Sequence, residues 1–353
     1  MERLQYFIRR LLLVIPTFLG ITMLCFAVTQ FVPGGPVDQM MLKLRGMGSG
    51  GESVAPAGGG DMSASAEASL EAQRQVYIKH FGFDQPIYKR YWKWLWQERC
   101  GMLTRSYKFS NRTAWELISS RFPVSLLFGL TSFILTYTIC IPLGVLKAVR
   151  HGGVFDLVSS AIVFIGYAIP VFALGMLMKM LLCGTVEGLW NIFPATGLYS
   201  PNWETLSFAA KCRDVLWHAV LPLLCYVAGS FAMLTLLMKN SLLEQINADY
   251  IRTVYAKGGT TARALWCHAL RNALVPVATG FGSVLTVMFA GSVIIERVFE
   301  IPGMGNLSLE AIVGRDYPVF MGILALTSIL GLLGNILSDF CYVVIDPRIN
   351  FDS

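Results

Sequence analysis

Long apolar stretches alternate with shorter polar ones along this chain. Six intervals contain no Asp, Glu, Lys or Arg: 11–37, 122–146, 157–178, 215–238, 272–295 and 317–338. Each holds at least 22 residues, and about 20 predominantly apolar residues cross a bilayer as an α-helix. One such interval fits the buried core helix of a soluble protein, but six in one chain do not. The pattern predicts an all-α membrane protein of six transmembrane helices. The first interval begins at Leu11, directly behind Arg9 and Arg10, as the apolar region of a signal peptide does. Its run is too long for one and lacks an Ala-x-Ala-like cleavage site, so it reads as a retained first span.

Composition agrees with lipid as the solvent. Of 353 residues, 55% are hydrophobic and 14% charged, with mean hydropathy +0.58, whereas soluble domains carry about 25% charge. The charges also give an orientation. Residues 1–10, 147–156 and 239–271 carry ten Lys/Arg, and the short loops 179–216 and 296–316 carry five. Basic short loops stay in the cytoplasm, which puts both termini there. Loop 38–121 holds twelve Lys/Arg against eight acids, but its 84 residues exceed the length over which the rule operates. Pro16, Pro123, Pro142, Pro170, Pro222 and Pro276 lie in or beside the spans, where proline tends to kink a helix.

The long outer loop, taken as a region at 38–116, has two parts. Residues 46–69 are rich in Gly, Ser and Ala and bury too little to offset chain entropy, so disorder is expected. Leu70 to Gln97 has helical composition broken at Gly82 and Pro86, and carries Tyr88, Tyr91, Trp92, Trp94 and Trp96. Such rings suit headgroup level, which predicts a short outer helix lying on the membrane; a docking face for an external partner is the alternative. The eight cysteines form no Cys-x-x-Cys pair and no metal site is expected. Cys100 and Cys212 fall in predicted outer loops, and both a disulfide and two free thiols are open.

Residues 239–272, KNSLLEQINADYIRTVYAKGGTTARALWCHALRN, are polar, basic and longer than a helix connection of 2–8 residues. Helical composition, a Gly258-Gly259 break and Thr260 or Thr261 as N-cap predict two short helices joined at a turn. The stretch is similar to the cytoplasmic loop of binding-protein-dependent ABC importer permeases, whose general pattern is Glu-Ala-Ala-x3-Gly-x9-Ile-x-Leu-Pro. Gly258 matches the family glycine. Arg252-Thr253-Val254 and His268-Ala269-Leu270-Arg271 depart from the general pattern in the way the dipeptide and oligopeptide branch does. That branch shows Tyr250-x-Arg252-Thr253-x-x-Ala256-Lys257-Gly258, then His268-Ala269-Leu270-Arg271-Asn272-Ala273-Leu274-x-Pro276. Phe81-Gly82-Phe83-Asp84-Gln85-Pro86, Pro302-Gly303-Met304-Gly305, Arg315-Asp316-Tyr317-Pro318 and Asp346-Pro347-Arg348-Ile349 extend the likeness over nearly the whole chain outside the insert. Lys147-Ala148-Val149-Arg150-His151-Gly152, Gly166-Tyr167-Ala168-Ile169-Pro170 and Lys239-Asn240-Ser241-x-Leu243-Glu244 resemble the subgroup that imports microcin C and oligopeptides.

The resemblance implies a type I ABC importer permease in a bacterial inner membrane. Its parts would be an N-terminal end and first helix (1–37), a permease core (117–343) and a cytoplasmic tail (344–353). Tyr250, Arg252, Thr253, Ala256, Lys257, Gly258, His268, Arg271 and Asn272 would form the loop that couples to the ATPase. Implied partners are a homologous second permease, a cytoplasmic ABC ATPase, a periplasmic peptide-binding protein and membrane lipid, with no nucleic acid. The chain would bind no cofactor and hold no catalytic residue. ATP and Mg would be used by the ATPase, consistent with the lack of a Gly-x4-Gly-Lys-Ser/Thr phosphate loop in this sequence. No His-Glu-x-x-His helix appears either. His218, the one ionisable group inside an interval, reads as a satisfied interfacial side chain rather than a proton relay. The substrate-path residues are not visible in the sequence. Alternatives are a nickel permease of the same branch, an ATP-independent secondary carrier with inverted repeats, or a structural membrane protein without an ATPase partner.

Overall fold

The computed structural model describes residues 2–31, 37, 41, 71–79, 83–109, 111–186, 190–278 and 280–345. The expected disordered insert 46–69, the Phe81-Gly82 pair and the terminal Asp346-Pro347-Arg348-Ile349 lie outside the described residues. In chain order the helices are α1 (Glu2–Phe31), α2 (71–79) and α3 (Ile87–Trp92, continuing as a π-helical turn Lys93–Gln97), then α4 (Ala114–Val149), α5 (Val154–Ala168) and α6 (Val171–Leu182). They continue as α7 (Phe208–Ile246), α8 (Asp249–Ala256), α9 (261–278), α10 (Phe281–Ala290), α11 (Val293–Val298), α12 (Met304–Val313) and α13 (Tyr317–Ile345). The described residues contain no β-strand, only isolated bridges such as Arg105 with Thr113.

Among the described residues, four helices are long and apolar enough to cross a membrane: α1, α4, α7 and α13. A fifth crossing arises if α5 and α6, bent by 94° at their junction, count as one broken span. The break sits at Ile169-Pro170. Proline disfavours the α conformation at the residue before it, and Ile169 is extended at φ −82°, ψ 120°. The other five prolines of the spans lie inside helices that continue through them. The interval 272–295 is likewise not one helix, since α9 ends at Ala278, α10 at Ala290 and Gly291 has φ +64°.

The chain folds as two compact units. The larger contains residues 1–16, 119–309 and 327–353. Two apolar cores mark its ends. One joins Cys140, Val145 and Ala148 of α4 to Leu234, Met238 and Leu242 of α7, together with Ile251 of α8 and Ala264, Ala269, Ala273 and Val277 of α9. The other joins Phe128 of α4 to Leu221 and Cys225 of α7, with Cys183, Ile295 and Phe299. Thus α4 and α7 run parallel. The chain between them must return, and it does: Asp156 in the first turn of α5 meets Lys239 beside the first core, while Leu182 at the end of α6 packs on the second. Residues 270–298 pass between the same two cores, in broken helices. Among buried polar groups of this unit, His218 Nδ1 donates to Asp214 O, 2.8 Å away, and its side chain is 6% exposed.

The smaller unit holds residues 17–118 and 310–326. Its core gathers Phe26, Trp94, Met321 and Ala325. Of the aromatic residues expected at headgroup level, Tyr88, Trp92 and Trp96 are exposed, but Trp94 is only 5% exposed. The π-helical turn rotates it inward, where it stacks on Tyr91 with ring centroids 5.8 Å apart. Asp316 is buried at the start of α13 and accepts from Tyr107 N (3.1 Å) and Ser106 Oγ, so a carboxylate closes the Arg105–Thr113 turn. Cys100 and Cys212 are both free thiols.

Glu296 is the most confined acid of the larger unit. Ser125 Oγ donates to it at 3.2 Å, and Asn306 N, in the first turn of α12, at 2.7 Å. A Cβ on Gly291 or Gly303 would overlap its carboxylate, which accounts for glycine in the Pro302-Gly303-Met304-Gly305 motif.

Candidate functional site

The 239–272 stretch is built on the end of α7. At 1.5 Å per residue its 39 residues extend about 58 Å, well beyond the roughly 30 Å of bilayer hydrocarbon. The final turns from Lys239 to Ile246 thus continue α7 past the uncharged interval 215–238. Asn247 and Ala248 reverse the chain into α8.

α8 ends in a Schellman motif. Gly259 N donates to Val254 O and Gly258 N to Tyr255 O, both at 2.9 Å. The two glycines serve different needs. Gly258 has φ +79° with open space around it, so its constraint is backbone conformation. At Gly259 a Cβ would lie 2.6 Å from Val254 Cγ1 and 2.8 Å from Val254 O, so its constraint is space. Thr260 then caps α9, accepting from Arg263 N at 3.3 Å. Residues Ala264–Ala269 of α9 are π-helical. In an α-helix, residues five apart point about 140° apart, whereas i→i+5 bonding stacks them. This is how Ala264 and Ala269 share one buried face.

That face and Ile251, 1% exposed, seat the two-helix element on α4 and α7. Ser241 Oγ of α7 adds a hydrogen bond to Ala273 O at 2.9 Å. The nine residues singled out in the sequence divide by role. Arg252, Thr253, Ala256, Lys257, Gly258 and His268 lie on the exposed side. Tyr250, Asn272 and Arg271 brace the element: Tyr250 OH donates to Gln245 Oε1 (2.7 Å) and accepts from Asn272 Nδ2 (3.1 Å). Arg271 Nε donates to Ile345 O at 2.8 Å, a cation at the negative end of α13. The Arg252–Asp249 pair, 3.5 Å apart and largely exposed, adds little stability.

Two exposed residues escaped the sequence reading. Tyr255 is 44% and Trp266 59% exposed, next to Arg252, Lys257 and Arg263. Surfaces that bind proteins are enriched in Trp, Tyr and Arg, and the signal available in the sequence was large aromatics in an otherwise polar loop. The element presents a basic and aromatic exposed side opposite its buried alanine face, and its residues form no grouping that performs covalent chemistry.

Comparison with known proteins assigns the setting. The model of the family described as binding-protein-dependent transport system inner membrane component matches residues 140–351. The inner membrane ABC transporter permease protein YejB of Escherichia coli O157:H7 is 41% identical, over 98% of this chain and 99% of its own length. The peptidoglycan transport system permease protein YejB of Agrobacterium fabrum is 39% identical over 98% of each chain. The dipeptide transport system permease protein DppB of Escherichia coli K12 is 33% identical over 98% of each.

The cap geometry yields a test independent of activity. Gly259→Ala forces Val254 O to move, at a cost of about 1–3 kcal/mol, so amide hydrogen exchange across residues 249–260 should accelerate roughly tenfold or more. Gly258→Asn, which tolerates positive φ, should change it little. Unaltered protection in Gly259→Ala contradicts the motif.

Proposed function

This chain belongs to the family of binding-protein-dependent transport system inner membrane components, and from that premise we propose that it is the permease subunit of an ATP-driven peptide importer, coupled to its ATPase through residues 239–272. It is a multi-pass inner membrane protein. The observation that carries the coupling role is the capped turn at Gly258-Gly259, which projects exposed Arg252, Tyr255, Lys257, Trp266 and His268 from the same element whose other face is seated on α4 and α7.

In this reading the chain crosses the membrane six times with both termini in the cytoplasm, the broken segments 154–182 and 270–298 making two of the crossings. A second, homologous permease lines the path with it, and a periplasmic binding protein delivers the cargo. ATP and Mg are held by the ATPase. Peptide as cargo rests on the relatives, whose names give dipeptide and peptidoglycan transport. Movement of the ATPase displaces the α8–α9 element as a body, because its cap and alanine face leave it little freedom to deform. The apolar core passes that displacement to α4 and α7, and Arg271 passes it to the end of α13. Such transmission needs an element whose two positions are biased from both sides.

Gly258→Val tests this directly. A β-branched residue at φ +79° costs about 1–3 kcal/mol of strain and should splay the turn. In the complex reconstituted with its ATPase, second permease and binding protein, both co-purification of the ATPase and peptide-stimulated ATP hydrolysis should fall. If both equal the wild type, the element is not the coupling site.

A further inference from the structure

A buried charge cluster lies where α4, α5 and α7 meet, and the transport reading has so far assigned it no task. Lys147, in the last turn of α4, is fully buried and Asp156, in the first turn of α5, nearly so. Lys147 Nζ donates to Ser160 Oγ (2.7 Å), Ser159 Oγ (2.8 Å) and Asp156 O (3.1 Å), all on α5, and lies 3.3 Å from Asp156 Oδ1. Lys239 of α7 donates to both carboxylate oxygens of Asp156, at 2.7 and 2.8 Å. Gly152, whose φ of +74° turns the chain from α4 to α5, donates its N–H to Oδ2 at 3.2 Å, and His151 Nδ1 stands 3.3 Å from the same oxygen. Lys147 thus ties α4 to α5, and the Asp156 carboxylate ties α5 to α7.

The position of this knot is what gives it meaning. Val145 and Ala148 flank Lys147, and Met238 precedes Lys239; all three are buried in the core that receives Ile251, Ala264 and Ala269 of the α8–α9 element. No residue of α5 belongs to that core. A displacement entering through the element reaches α4 and α7 by apolar contact, which tolerates sliding. It reaches α5 through short, directional bonds as well, from Lys147 to Ser159, Ser160 and Asp156 and from Lys239 to the Asp156 carboxylate, and a buried charge left without its partner is strongly unfavourable. α5 in turn leads into the 94° bend at Pro170 and into α6.

We propose that Asp156 is a positioning residue for transport, making the bent α5–α6 pair move with the ATPase-docking element. The proposal rests on the reading of 239–272 as that element. A role in folding alone would lower assembly, hydrolysis and uptake together. A role in transmission separates them.

The experiment uses the full complex in proteoliposomes, with a peptide carried by the binding protein. For Asp156→Asn, the ATPase should co-purify at wild-type stoichiometry and hydrolyse ATP, while peptide imported per ATP falls roughly tenfold. Lys239→Met removes only the α7 side and leaves the Lys147–Asp156 pair intact, so it decides the matter if Asp156→Asn does not assemble; the same fall in peptide per ATP is expected. An unchanged ratio of peptide to ATP in the assembled variants overturns the proposal, as does loss of uptake only in proportion to loss of complex. Failure of the wild-type chain to retain an ATPase would instead sink the docking reading on which the proposal stands.

Discussion

The seating of Ile251, Ala264, Ala269 and Ala273 between the ends of α4 and α7 is the contact on which the rest of the molecule's logic depends. A polar loop between two spans has no intrinsic reason to be rigid. Here small buried residues bring two short helices close to the long ones, the π-helical turn keeps the alanines on one side, and paired glycines close the corner between α8 and α9. What remains on the outside is a basic, aromatic surface whose position is set by the transmembrane helices themselves. Force applied to that surface is therefore applied to the spans.

The bilayer sets the second constraint. Its hydrocarbon leaves unpaired backbone groups unsatisfied, so breaks in a spanning helix persist only where protein covers them. In the proposed six-span arrangement both broken segments obey this. The ends of 154–182 and 270–298 are held in the same two cores as α4 and α7, and polar side chains fasten them where the helix is interrupted: Asp156 and Lys147 at the start of one, Glu296 and Ser125 at the end of the other. Lys147, Asp156 and Glu296 thus lie at joints, whereas buried Asp339 sits within α13 and pairs with Arg10 of α1.

Much of this architecture was legible in the sequence. The charge-free intervals located every long helix among the described residues, and the Gly258-Gly259 break located the corner between α8 and α9. Pro170 was one of six prolines named as able to kink a span, but nothing local separates it from the five that helices run through, and a charge count registers apolar length without marking the break at Gly291. Trp94 was read as interfacial from its company; its inward orientation depends on a π-helical turn that no local pattern announced. Arg271 and Asn272 carried family-like spacing, yet their partners, Ile345 and Tyr250, are set by tertiary contact. Asp156 is the clearest case. It sits one residue outside an apolar interval and looks like an ordinary loop charge, and only the approach of Lys239, 83 positions away, makes it a joint.

The central claim, that the exposed side of the 239–272 element is where the ATPase sits, can be read from a native thiol. Cys267 lies beside Trp266 and is exposed, and Cys212 is the other exposed cysteine among the described residues. Labelling with a membrane-impermeant maleimide, from the cytoplasmic side of inverted vesicles, should modify Cys267 in the chain without its ATPase and fail to do so in the assembled complex, with Cys212 unlabelled from that side in both. Equal labelling of Cys267 with and without the ATPase would contradict the account.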